Sequence, residues 1–317
     1  MLRSFLGNQI LVLLFIPILI GVYFVTNFFI QATEILPSVD LGAWGRFSIY
    51  QIQFLPIASG LLILINAIAL NFLFNSNEFY EKNTYAIAMF YVLFLSFFSS
   101  FYQLSGSLFA HTFVILALFQ LFYLQNNSDG RKRTFNAGLF AGLAVTFQPA
   151  LVVLFPFLWV MVTRIRPFVF REMILLTLGF ILPMFYALVY IAYFNQHFDF
   201  QWVESSSSAI NHKVNFFSVL ALFSLATSIS LIVLSYKTSK SSIRFKKLHA
   251  ILKLFLTTSI FLTLVDYLFF NSIEIMNFAV IIISFIFPYL FFYKSSVLVG
   301  KLIFYGTFIF SVVRFFI

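Results

Sequence analysis

The stretch FNAGLFAGLAVTFQPALVVLFPFLWVMVT, residues 135–163, decides how this chain is threaded. At ~1.5 Å per helical residue it is long for one crossing of a bilayer about 30 Å thick and short for two. Gln148–Pro149 stands at its middle. Proline disfavours helix at the residue before it, so the spacing predicts a break at Gln148. Arg131, Lys132 and Arg133 precede the stretch, and Arg164, Arg166 and Arg171 follow it. Lys and Arg concentrate in short loops on one side of a membrane, so both flanks belong on the same side. A hairpin of two short helices turning at Gln148 satisfies this, whereas one long helix does not.

That reading presupposes a membrane, and the composition requires one. The 317 residues are 62% hydrophobic, 21% aromatic and 9% charged, against roughly 25% charged in a soluble domain. Such a chain could not cover itself with polar surface in water. An ordinary soluble enzyme is excluded. The 49 Phe residues suit lipid-facing surface and helix packing alike. Nine further apolar runs predict crossings near residues 10–30, 52–74, 84–101, 107–124, 172–194, 216–236, 251–270, 277–293 and 301–317. The first reads as a retained helix, since no small-residue cleavage site follows it. With the hairpin, the expected fold is all-α: a polytopic transmembrane bundle of about eleven membrane segments.

Charge sorts along this threading. With the N-terminus inside, 16 of 19 basic residues fall on the inner side and only Arg46, Lys213 and Arg314 fall outside. Glu34, Asp40, Asp199, Glu204, Asp266 and Glu274 fall at or near the outer face. The formal charge of +9 is therefore topology rather than a nucleic-acid surface. The expected location is a bacterial inner membrane, with a cytoplasmic N-terminus and a periplasmic C-terminus. The basic, Ser-rich inner loop 236–249, YKTSKSSIRFKKLH, reads as an orientation determinant touching anionic headgroups.

Candidate chemistry lies on the outer side. The loop 31–51, QATEILPSVDLGAWGRFSIYQ, carries Glu34 and Asp40, and Leu41–Phe47 could lie at the interface with Trp44 at headgroup level. A carboxylate there can serve as general base, and Arg46 can meet a phosphate. The loop 195–215 gathers His197, Asp199, Trp202, Glu204, His212 and Lys213, a mixture able to hold a sugar or phosphate, beside an SSSS run typical of a flexible connection. Polar groups inside hydrocarbon are costly, which singles out His111, Gln148 and Asp266 at similar depth near the outer boundary. Interhelical hydrogen bonding for packing is the bland reading of His111 and Asp266, and the expected role of Asn66, Asn71 and Gln120. Gly138, Ala141, Gly142 and Ala144 predict close helix approach within the hairpin. The chain has no Cys, and its four His show no i, i+4 pair, so no metal is expected.

Residues 75–163 resemble the middle of the GT-C superfamily of polyprenyl-phosphate-dependent membrane glycosyltransferases. The resemblance rests on the polar turn FNSNEFYEKN (74–83), two spans, the basic turn SDGRKR (128–133), and a small-residue helix, polar break and second apolar helix at 135–159. It covers about residues 1–195, leaving 196–317 as a C-terminal four-helix transmembrane region. It implies sugar transfer from a polyprenyl-phosphate donor at the outer face, with Asp40 or Glu34 as base and the carrier phosphate held by Arg46 and Lys213, assisted by His111. The chain departs from the pattern in that Glu34 and Asp40 are six apart rather than adjacent, and a C-terminal soluble domain is absent from the reading. It also resembles uncharacterised multi-pass bacterial membrane proteins. Two other readings stand beside the enzyme: a non-catalytic subunit or scaffold of an envelope-biogenesis or secretion complex, and a transporter. Expected partners are membrane lipids and, for the scaffold, other membrane protein subunits. Beyond a polyprenyl-phosphate donor, no cofactor is expected.

Overall fold

The computed structural model describes residues 5–7, 10–30, 38–48, 55–80, 82–125, 129–194, 213–239, 241–270, 274–292 and 296–314. Its helices are α1 (Phe15–Ile30), α2 (Leu55–Ser76), α3 (Ala86–Leu95), α4 (Gly106–Leu124), α5 (Arg131–Phe147), α6 (Leu154–Ile165), α7 (Phe170–Tyr193), α8 (Lys213–Ser239), α9 (Ile243–Phe270), α10 (Asn277–Ile286), α11 (Tyr289–Phe292) and α12 (Val297–Val313). Short 3-10 segments at Ile10–Leu14, Gly42–Trp44, Ser99–Phe101, Pro149–Val153 and Glu274–Met276 join or extend them. The expected all-α fold holds apart from two three-residue strands, β1 (Ser38–Asp40) and β2 (Arg46–Ser48).

Among the described residues seven helical segments are long and apolar enough to cross a membrane: Val12–Ile30, Pro56–Ser76, Gly106–Leu124, Phe170–Tyr193, Ser218–Ser239, Ile243–Phe269 and Glu274–Phe292. Shorter apolar helices cover Ala86–Leu95, Pro149–Ile165 and Val297–Val313. Apolar side chains such as Phe28, Phe29, Leu188, Ile232 and Leu268 stand on the outside of the bundle. In water this surface would be a liability, and in hydrocarbon it is the matching solvent. The protein is a multi-pass membrane protein. Its centre is the segment Glu274–Phe292, 94% of whose residues are buried, packed against α3, which is buried along its whole length.

The break at Gln148 is present. Helix α5 ends at Phe147, Gln148 is extended (φ −135°, ψ 94°), and Pro149 opens a 3-10 turn that leads into α6. The chain then runs back. Gly130, before α5, donates its backbone N–H to Glu172 Oε1 at 3.2 Å, and Arg166, just after α6, reaches the same oxygen at 3.4 Å. Start and finish of the stretch therefore lie at one end of the bundle, which excludes a single straight helix. The small residues act differently from expectation. A Cβ on Gly138 or Gly142 would collide with the backbone of Leu176 and Phe180 in α7, and one on Gly179 would collide with Phe135 in α5. The close approach is between α5 and α7 rather than within the hairpin. The apolar run expected to cross at 84–101 is also interrupted: α3 stops at Leu95, and Ser96 to Ser105 form a turn that reverses the chain into α4. Ser105 caps α4, accepting from the Leu108 N–H at 3.4 Å.

Helices α8 and α9 fit less closely. Between them and α10 lies a cavity of about 250 Å³, lined among others by Leu220, Phe223, Leu256, Ile260, Met276 and Ile283.

Candidate functional site

The first candidate site is a small hairpin seated on the break. β1 and β2 pair antiparallel with Asp40 opposite Arg46 and Val39 opposite Phe47. The turn between them is fixed from inside: Asp40 Oδ1 accepts the Gly42 N–H at 2.8 Å, and the Leu41 N–H donates to Gly45 O at 3.1 Å. Gly42 has φ +64°, and a Cβ there would lie 2.5 Å from Phe147 O and 2.6 Å from Thr146 O. Only glycine meets both the left-handed backbone and the approach. Trp44 donates Nε1–H to Thr146 Oγ1 at 3.1 Å, with its ring centroid 6.2 Å from Phe147 and 5.5 Å from Tyr190. Leu41–Phe47, expected as an interfacial segment, forms the turn and the start of β2, with Gly42 and Trp44 seated over the end of α5. Gln148, buried at that end, donates its N–H to Ala144 O at 2.9 Å.

The second candidate site is a polar network buried among the helices. His111 is fully buried, with Nδ1 2.9 Å from Tyr91 Oη and Nε2 3.4 Å from Asn277 Oδ1. Asn277 in turn donates Nδ2–H to Ser107 Oγ at 2.7 Å and to Ser100 Oγ at 3.3 Å. Asp266, also fully buried, accepts the Ile275 N–H on Oδ2 at 3.4 Å. Glu274 is bonded by Ser99 and feels the charge of both Asp266 and Arg314. The Arg314 guanidinium closes the network, donating to Ser96 O and Tyr102 Oη and lying 5.1 Å from the Phe97 ring centroid. In hydrocarbon these groups have no water to turn to, and they gather with one another between α3, α4, α9, α10 and the end of α12.

The two sites meet at the first turn of α4. A Cβ on Gly106 would lie 2.5 Å from Phe147 O and 3.2 Å from Asp40 O, while Ser107 next to it reaches Asn277. Asp40 and Gln148 belong to the hairpin site, His111 and Asp266 to the buried network. Arg46 is placed at the start of β2 and Lys213 at the start of α8 by backbone alone. Glu34, His197 and His212 lie outside the described residues. Tyr91, Asn277, Glu274, Ser99 and Arg314 join the network without having been singled out by sequence as binding groups. Asn66 has the expected packing role, donating to Leu108 O at 3.3 Å and accepting from Thr112 Oγ1 at 2.8 Å. Gln120 accepts from Arg133 Nη1 at 2.9 Å. Among the described residues no group of three His, Asp or Glu could hold a metal ion.

Chemically, the hairpin site offers a half-buried carboxylate at the end of the bundle, with an arginine paired opposite it in register. The network offers charge and hydrogen-bonding capacity, but to the interior. Compared with known families, residues 27–317 match a family model described as a family of unknown function (DUF6427), and the chain belongs to that family. No curated protein and no solved structure matches it.

Proposed function

We propose that the chain, a member of this family of unknown function, is a GT-C-like glycosyltransferase of a bacterial inner membrane. It takes a polyprenyl-phosphate sugar at the outer face. In this reading eleven segments are threaded with the N-terminus in the cytoplasm and the C-terminus in the periplasm: the seven long helices, α3, α5, the run through Pro149–Ile165, and α12. The observation that supports it most is the seat of the acidic hairpin on the Gln148 break. Asp40, the described carboxylate of the first outer loop, is held by the fold against the end of α5 rather than left on a free loop. Asp40 acts as general base toward an acceptor hydroxyl, with Glu34 as the alternative base. Arg46 holds the carrier phosphate beside it. Lys213, His197 and His212 belong to the second outer loop and contribute to sugar or phosphate binding. His111, Gln148 and Asp266 support the site from below.

The test is to replace Asp40 and Glu34 by Ala, singly and together, and to measure lipid-linked sugar and surface glycan in cells. Loss of product at normal protein level is expected. Unchanged product with both carboxylates removed overturns the assignment.

One observation favours a second reading, a non-catalytic subunit of an envelope assembly. Asp40 Oδ1 is engaged by its own turn, and His111 is engaged by Tyr91 and Asn277, so both can be explained as structure. Gentle extraction followed by mass spectrometry separates the two: a stoichiometric membrane-protein partner supports the subunit, and an active lone chain supports the enzyme.

A further inference from the structure

At the end of the bundle away from the hairpin, an ammonium group is enclosed by aromatic rings. Helices α2 and α4 both run from the hairpin end to that end, and α8 ends there. Lys237, in the last turn of α8, places Nζ 5.1 Å from the ring centroid of Phe245, 5.2 Å from Tyr289 and 5.7 Å from Tyr80. The rings hold one another. Phe292 stacks on Tyr80 at 3.6 Å with 6° between planes, and Tyr289 donates Oη–H to Phe79 O at 2.9 Å. His249 packs edge-on against Phe245 at 4.0 Å, and its buried Nδ1 has no hydrogen-bond partner among the described residues.

Three ring faces around one cation are the geometry by which proteins recognise ammonium ligands, because each ring presents a negative quadrupole face. Tyr289 forms the buried floor, whereas Tyr80, Phe245 and Lys237 are half-buried and Arg244 and Lys246, flanking Phe245, are exposed. Exposed basic side chains therefore stand at this end of the bundle, and the box itself accepts a cation. A headgroup carrying an ammonium and a phosphate on one short linker complements both parts, with its ammonium in the box and its phosphate on the basic side chains.

We propose that Tyr80, Phe245 and Tyr289 form a binding site for the ammonium group of phosphatidylethanolamine, occupied within the chain by Lys237 when no lipid is bound. Lys237 then competes with the lipid for the three rings. A site filled in this way shows an affinity reduced by the fraction of molecules in which it is open.

The experiment is native mass spectrometry of the full chain in detergent, titrated with phosphatidylethanolamine or with phosphatidylglycerol, which has the phosphate but no ammonium. Lys237→Ala is expected to tighten phosphatidylethanolamine binding about tenfold, the scale of a desolvated cation–π contact. Phosphatidylglycerol binding should not tighten. Adding Tyr80→Leu and Phe245→Leu to that variant should abolish the gain. Equal affinity of wild type and Lys237→Ala overturns the proposal, as does a gain shared by phosphatidylglycerol or one that survives loss of both rings. Should Lys237→Ala fail to fold, Lys237→Met keeps the aliphatic stem and takes its place. Failure of both would show that Lys237 is a fixed structural element and not a displaceable ligand.

Discussion

Helices α5 and α7 touch backbone to backbone at Gly138, Gly142 and Gly179, whereas α8 and α9 leave beside α10 a cavity of about 250 Å³. Both pairs sit in the same solvent and carry similarly apolar residues, so hydrophobicity does not distinguish them. Side-chain size does. Between membrane helices the attraction comes from packing, and glycine lets two helices approach until carbonyl and Cα surfaces meet. On α8 and α9 large residues such as Leu220, Phe223, Leu256 and Ile260 face the space beside Ser224, Thr227 and Thr263, whose hydroxyls bond their own helices: Ser224 donates to Ala221 O, Thr227 to Phe223 O and Thr263 to Ser259 O. None of these three hydroxyls is directed at the neighbouring helix in those bonds. The close pair carries the break on which the hairpin sits, and the loose pair adjoins the ring-enclosed Lys237.

The sharpest way to break the contrast is Gly142→Leu. The new side chain would be driven into the Phe180 backbone, which cannot yield as a side chain can, and a loss of about 3 kcal/mol or more is expected. A thermal melt in detergent should fall by roughly 10 °C or yield no folded protein. A melt within a degree or two of wild type would show that α5 and α7 are not held at contact.

Which helix meets which was the part not legible in the sequence. The run of small residues announces a close approach, but a side chain of one hydrogen names no partner, and α6 and α7 are equally apolar neighbours. The hairpin was legible because Pro149 breaks the helix locally and because charged flanks must share a side, two effects that need no tertiary information. His111 and Asp266 stand out within apolar runs. Asn277, Glu274 and Arg314 escaped because they lie at helix ends, where polar residues are ordinary, and only the fold turns those ends inward. The hairpin's register was hidden as well, since the strands are three residues long and their geometry follows from Gly42 fitting under Phe147.

A smaller effect is expected from Arg314→Met, which leaves the carboxylates of Asp266 and Glu274 facing each other without the guanidinium. A loss of ~2–3 kcal/mol follows from stranding buried charge. Adding Glu274→Gln should restore part of it, because it removes one of the two like charges, and the cycle of single and double variants reads that coupling. Strict additivity would disconnect Arg314 from the carboxylates.

Smaller again, Trp44→Phe removes the hydrogen bond to Thr146 and part of the ring contact with Tyr190. About 1 kcal/mol is expected, read most clearly as faster amide exchange at residues 38–48, with the rest of the bundle unchanged. On the loose side, Thr227→Leu gives up only a bond to its own helix and fills part of the cavity. A gain of roughly 0.5 kcal/mol is expected, seen as a rise of one or two degrees in the melt. A fall of similar size would mean that the space is already occupied.

The proposed chemistry depends on the hairpin end facing outward, and the absence of Cys makes that directly measurable. Asp199→Cys, between α7 and α8 in the sequence, and Ser242→Cys, exposed before α9, would each be the sole thiol of an otherwise native chain. Labelled in spheroplasts with a membrane-impermeant maleimide, the Asp199→Cys protein should react at once and the Ser242→Cys protein only after permeabilisation. The reverse pattern would put Asp40 and the Gln148 break on the cytoplasmic side and contradict an outer-face transferase.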